Sequence, residues 1–143
     1  MKTLQIISVL ALVSLQSCSM FGNTKVEVTH ELTEFDSGIK IREIVAGDGL
    51  SASFGQHIVI DYIGYLSDGS TFDSSIDRGV PLDFTLGEAP LAGWNEGING
   101  MQIGGQRHIS IPSNLAYGEA GIEGLIPPSE PLVFEVWLLE IQD

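Results

Sequence analysis

The stretch His57-Ile58-Val59-Ile60-Asp61-Tyr62-Ile63-Gly64-Tyr65-Leu66 has two faces: Ile58, Ile60 and Tyr62 fall on one, Val59, Asp61 and Ile63 on the other. A period of two predicts a strand with one face in a core, because successive side chains of extended backbone point to opposite sides. Ser67-Asp68-Gly69-Ser70 follows with turn chemistry, and Thr71-Phe72-Asp73 opens a second arm, so a hairpin is expected.

Working outward, Ile39, Ile41 and, after a shift, Ile44-Val45 predict an earlier strand closed by Gly47-Asp48-Gly49. Downstream, Leu82-Asp83-Phe84-Thr85-Leu86 alternates and is ended by Gly87. Arg107 to Ile111 and Pro131 to Ile141 are further strands, the last with Leu132, Phe134, Val136 and Leu138 on one face. Only one segment has a helical period: Leu91, Trp94, Ile98 and Met101 predict a short amphipathic helix from Leu91 to about Asn99, with Gly100 as terminator. Pro112 to Pro128, glycine-rich and closed by Pro127-Pro128, reads as a loop of restricted backbone. One helix among hairpin-connected strands predicts an α+β domain: a five- to six-stranded antiparallel sheet curled around one short helix.

The chain of 143 residues is one domain's worth, and 43% hydrophobic residues suffice for an ordinary core. Six Lys and Arg against 19 Asp and Glu give a net charge of −13, which argues against a nucleic-acid partner, since phosphate binding needs clustered cations. A single cysteine, Cys18, excludes an internal disulfide and any zinc site with two thiolates. His30, His57 and His108 lack metal-ligand spacing, so no metal is expected.

At the N-terminus, Lys2 precedes an apolar stretch from Leu4 to Leu15 that is shorter than the ~20 residues of a spanning helix, and it reads as a cleaved signal. Leu15-Gln16-Ser17-Cys18 then resembles the lipobox of bacterial lipoprotein precursors. The resemblance implies that Cys18 is acylated and becomes the new N-terminus; the plainer reading of Cys18 is a buried free thiol. The expected organisation is a signal at 1–17, a lipidated cysteine and polar tether at 18–37, with room for a short strand near Val26 to Leu32, and a compact domain at 38–143. An extracytoplasmic, membrane-anchored protein on the periplasmic face is expected. Ser19 is compatible with the outer membrane if the envelope has two membranes.

Residue chemistry alone offers few catalytic groups. No Gly-x-Ser-x-Gly elbow is present. Asp73-x-x-x-Asp77-x-Gly79 lacks the third ligand and terminal Glu of a calcium loop. No glycine motif opens a helix as a phosphate cradle requires. What remains is a set of aromatic and aliphatic residues beside loops.

Six ordered segments, Asp61-Tyr62-Ile63-Gly64-Tyr65, Asp68-Gly69-Ser70-Thr71-Phe72-Asp73-Ser74-Ser75, Gly93-Trp94-Asn95-Glu96-Gly97, Ala116-Tyr117-Gly118, Ile126-Pro127-Pro128 and Leu132-Val133-Phe134-Glu135-Val136, resemble the signature blocks of FKBP-type peptidyl-prolyl cis-trans isomerases. The resemblance covers nearly everything from Ile39 to Gln142. It implies the same fold, rotation of Xaa-Pro bonds in proline-containing polypeptides, no cofactor, and macrolide inhibitors. It also implies a pocket with Trp94 as floor, Tyr62, Phe72 and Phe134 as aromatic walls, and Leu91 and Ile126 as aliphatic ones. Leu82 stands where the family usually has a further aromatic, and Pro90 where it often has valine. Tyr117 and Asp73 match the residues that orient the bound peptide, Arg78 is placed as the ion-pair partner of Asp73, and the Leu91 N–H matches a donor to a substrate carbonyl.

Each residue also has a plain alternative. Trp94 spaced with Leu91 and Ile98 reads as core, and so does Phe134; Asp73 could cap a turn, and Tyr117 could close its own loop. At the level of function the alternative is a tethered peptide-binding chaperone module without significant catalysis. The loop from Gly118 to Leu125 is too short for the chaperone flap of some relatives, and the short tether favours a monomer.

Overall fold

A computed structural model of the chain describes residues 31–142. The N-terminal apolar stretch and Cys18 lie outside the described residues. Seven strands form one antiparallel sheet: β1 (Leu32–Glu34), β2 (Lys40–Val45), β3 (His57–Tyr65), β4 (Thr71–Ser74), β5 (Leu82–Thr85), β6 (Gln106–Ile111) and β7 (Leu132–Gln142). Their order is β1-β2-β6-β7-β3-β4, with β5 also paired to β3. One edge of β3 carries β7 along its whole length. Its other edge is divided, β5 taking His57 to Ile60 and β4 taking Ile63 to Tyr65.

As its alternation predicts, β3 buries Ile58, Ile60, Tyr62 and Gly64. These face Ile109 and Ile111 of β6, the inward residues of β7, and the apolar side of helix α2 (Ala92–Ile98). Fully burying an aliphatic side chain of this size contributes roughly 1.5–3 kcal/mol, so this layer is the main source of stability. The helix lies unusually close to the sheet. A Cβ on Gly93 would sit 2.6 Å from Ile111 Cγ2, and one on Gly97 would sit 2.6 Å from Ile109 Cγ2. Two glycines one turn apart therefore let backbone replace side chain at the contact, and this close approach brings Trp94, on the same buried side, into the core.

At the C-terminal end of α2 the unpaired carbonyls meet Arg107, an inward-facing residue of β6. Its guanidinium donates to Gly97 O at 2.9 Å and Asn99 O at 3.1 Å, and is held by Glu43 of β2 at 2.8 and 2.9 Å. A cation that satisfies the last carbonyls of a helix complements its dipole.

Two features differ from the sequence-based expectation. The sheet extends into the segment read as tether: β1 stands at Leu32–Glu34, at the end of the stretch near Val26 to Leu32 where the sequence left room for a short strand, and pairs with Lys40 to Arg42 of β2 as the seventh strand. All three β1 residues are exposed, so no apolar period marks them. A second helix, α1 (Ser75–Arg78), follows β4. Four residues are too few for a hydrophobic period. It is fixed by its ends instead: the Ser74 hydroxyl accepts from the Asp77 N–H, and Gly79, at φ 73°, closes it in the left-handed conformation that glycine adopts without strain.

Candidate active site

Between α2, the inner face of the sheet and the loop after β6 lies a cavity of about 150 Å³. Apolar cavities of that size take up a six-membered ring. Trp94, only 3% exposed, forms one wall. Three rings enclose it: Tyr62 and Phe134 stand edge-on at 5.1 Å, while Phe84 stacks at 5.9 Å from beneath the cavity lining. Phe72 of β4 meets Phe134 edge-on at 5.7 Å. Edge-to-face contacts of this kind suit the ring quadrupoles. Gly64 makes the cluster possible, since a Cβ there would lie 2.7 Å from Phe72 and 2.8 Å from Phe134. The Trp94 indole N–H is buried with no nitrogen or oxygen partner among the described residues.

The remaining walls are Leu82, Pro90, Leu91, Asp73 and Tyr117. Pro90 and Leu91 sit in the segment entering α2, which the Asn95 side chain fastens by accepting from the N–H groups of Gly87 (2.8 Å) and Ala89 (3.0 Å). Leu91 itself is extended (φ −117°, ψ 122°), and no hydrogen bond among the described residues engages its N–H.

One polar cluster borders this apolar space. The Tyr62 hydroxyl donates to Asp73 Oδ2 at 2.5 Å, Arg78 pairs with Asp73 Oδ1, and a second guanidinium nitrogen donates to the Tyr62 oxygen at 3.1 Å. The Arg78 guanidinium carbon lies 5.7 Å from the centre of the Tyr62 ring, within cation–π range. Helix α1 brings Arg78 there. Its Ser75 hydroxyl accepts from the Tyr62 backbone N–H at 2.8 Å and donates to Asp61 at 2.7 Å, tying the helix to β3. Burial pushes the Tyr62 phenol above its usual value; the bond to Asp73 adds to this and Arg78 opposes it. Burial and the Asp73 charge push the Tyr117 phenol up as well. Both phenols therefore stay protonated at neutral pH and can act as hydrogen-bond donors.

Of the residues named from sequence, Tyr62, Phe72, Asp73, Leu82, Pro90, Leu91, Trp94, Tyr117 and Phe134 line this one cavity, and Arg78 adjoins it through Asp73. Ile126 does not line it. That residue is buried (2% exposed) and lines a neighbouring groove, because its backbone pairs with Ile122 inside the loop. The sequence reading missed Gly64 as the residue that admits Phe72 and Phe134. Its inward phase in the alternation of β3 was the available signal.

The family model for FKBP-type peptidyl-prolyl cis-trans isomerase matches residues 49–139. The chain is 44% identical to an FK506-binding protein of Neisseria meningitidis serogroup B, over 74% of this chain and 98% of that one. It is 42% identical to peptidyl-prolyl cis-trans isomerase FPR2 of Saccharomyces cerevisiae, over 78% and 84%. Among solved structures, AtFKBP13 superposes with a TM-score of 0.73 at 36% identity, covering 78% of this chain and 99% of that one. FkpA from Escherichia coli superposes at 0.71 with 39% identity, and there the chain spans about half of the other protein, 51%.

Proposed function

The chain belongs to the FKBP-type peptidyl-prolyl cis-trans isomerase family, and on that premise we propose that rotation of the Xaa-Pro bond takes place in the cavity walled by Trp94, Tyr62, Phe72 and Phe134. The observation that carries this reading is the placement of nine of the expected residues around one apolar space with a single polar cluster at its border.

Resonance gives the Xaa-Pro bond its barrier of ~18–20 kcal/mol and makes the planar amide more dipolar than the twisted one. An apolar cavity therefore disfavours the planar ground state more than the twisted transition state, which is the differential effect catalysis requires. The proline ring rests against Trp94. The Leu91 N–H holds a substrate carbonyl, and Asp73 and Tyr117 orient the peptide by hydrogen bonds without transferring protons. Arg78 acts through Asp73, fixing its position. Leu82 and Pro90 shape the rim, and a macrolide carrying a proline-like ring competes for the same cavity.

The test is a protease-free isomerisation and binding assay comparing the wild type with Trp94→Leu, which keeps an apolar floor but removes the flat indole. Affinity for proline-containing peptides falls clearly while residual isomerisation survives. A wild type that binds Xaa-Pro peptides without accelerating them would replace this reading with the peptide-binding module.

The protein acts on extracytoplasmic polypeptides as a monomer held to a membrane by lipid on Cys18. Support for this part is the apolar stretch ending in Leu15-Gln16-Ser17-Cys18; several acyl chains anchor stably where one is marginal. Mass spectrometry of the mature N-terminus checks it, and an unmodified Cys18 in a membrane-free secreted product contradicts it.

A further inference from the structure

Beside the catalytic cavity runs a second, larger depression of about 650 Å³ between the β3–β4 turn and the loop after Tyr117, lined by Leu66, Ala120, Ile122, Leu125 and the Ile126–Pro128 run, with Glu123 as its charged member. The two spaces draw on the same two chain segments without sharing a lining residue. The hairpin that contributes Phe72 to the cavity contributes Leu66 to the groove, and the loop that contributes Tyr117 to the cavity contributes Ala120 to Ile126 to the groove. The loop wall is preformed: Ile122 and Ile126 exchange two backbone hydrogen bonds of 2.8 Å, and the Ser129 N–H donates to Gly118 O at 2.9 Å. Gly121 lies so close beneath it that a Cβ would be 2.3 Å from Ile126 O. Leu125 is nonetheless 47% exposed, so the groove presents uncovered apolar surface next to the substrate site.

We propose that this groove is an accessory subsite for an apolar side chain of the same polypeptide whose proline occupies the catalytic cavity; the proposal rests on the isomerase reading above. Among the described residues Glu123 is the one polar side chain lining the groove, too few to orient a small ligand, whereas a side chain already tethered through its proline needs only apolar burial at a high effective concentration. Ala120 of the groove follows Tyr117 of the cavity by three residues, and the Gly121 N–H donates to Tyr117 O at 3.1 Å, so these two lining residues have Cα atoms at most about 11 Å apart, and an extended chain rises ~3.3 Å per residue. The side chain therefore stands roughly two to four residues from the proline.

The experiment uses the purified full-length protein and a series of about ten-residue Ser/Ala peptides, each with one proline and a single leucine moved stepwise from five residues before it to five after. The control peptide has no leucine. Protease-free exchange gives kcat/KM for each. Leucine two to four residues away on one side raises kcat/KM about fivefold, through KM. Ala120→Arg, which fills the groove from an exposed position, and Leu125→Ser, which removes part of its apolar wall, both erase that gain and leave the control-peptide rate unchanged. No gain at any position two to four residues away, or a gain that persists in both variants, overturns the proposal. Failure of the wild type to accelerate the control peptide would instead overturn the isomerase reading, so the two failures are distinct.

Discussion

Arg107 with Glu43 and Arg78 with Asp73 are the same chemical pair in two settings. Arg107 is almost enclosed, its side chain 7% exposed, and every donor it commits goes to the framework: Glu43 on the neighbouring strand and two carbonyls at the end of α2. Arg78 is 48% exposed and stands on a four-residue helix at the cavity border, where its partner also receives the Tyr62 hydroxyl. A charge enclosed with its partner is costly to strand, whereas one half in water is readily solvated when its partner goes. The first pair therefore belongs to folding, and the second, under the function proposed above, to substrate orientation.

The largest expected effect follows for Arg107→Ala. It leaves Glu43 and two helix-terminal carbonyls without their partner and should lower unfolding stability by about 3 kcal/mol in urea titration, while the surviving folded fraction keeps its turnover. A loss of turnover at full stability would place this arginine in the site and dissolve the contrast. Next is Asp73→Ala, which removes the acceptor of the Tyr62 hydroxyl. Stability should change little, but kcat/KM should fall by roughly 1–2 kcal/mol of transition-state stabilisation, a modest loss beside that of a true general base. A smaller effect is expected for Arg78→Ala: Asp73 keeps the Tyr62 hydroxyl, so the urea melt should superpose on that of the wild type and turnover should stay within about twofold. A fall as deep as that of Asp73→Ala would mean that the guanidinium itself touches the substrate.

The contrast between the pairs also measures what the sequence could tell. Strands β3 and β7 and helix α2 were legible because each buries one face, so a period of two or of three to four residues is written into their apolar positions. The same physics left β1 faint, since it buries nothing and the sequence only left room for a short strand near Val26 to Leu32, and it hid α1, whose four residues are too few to display a repeating period; only Ser74 and Gly79 at its ends mark it. Trp94, Tyr62, Phe72 and Phe134 could be named because family resemblance adds what periodicity lacks, since without it Trp94 and Phe134 read as core. Arg107 was readable as a strand residue and not as a tie to the helix: its inward phase with Ile109 and Ile111 is visible, but the carbonyls it meets come from a segment eight to ten residues away. Ile126 went to the neighbouring groove because its place depends on the Ile122 pairing within a loop, and loops carry no period.

Rotation by desolvation and orientation involves no proton transfer, so the proposed mechanism stands or falls on the pH profile of wild-type catalysis. Tyr62 and Tyr117 are both pushed above the usual tyrosine value near 10. Their raised folded-state values mean that any stability they contribute is complete below about pH 10 and is lost as pH rises through those values, so nothing in them changes between pH 6 and 9. Protease-free exchange on a short Xaa-Pro peptide should therefore show acceleration that is flat from about pH 6 to 9. A bell-shaped profile within that range would contradict the desolvation mechanism and point to a proton-transferring group, with His57 and His108 as the candidates.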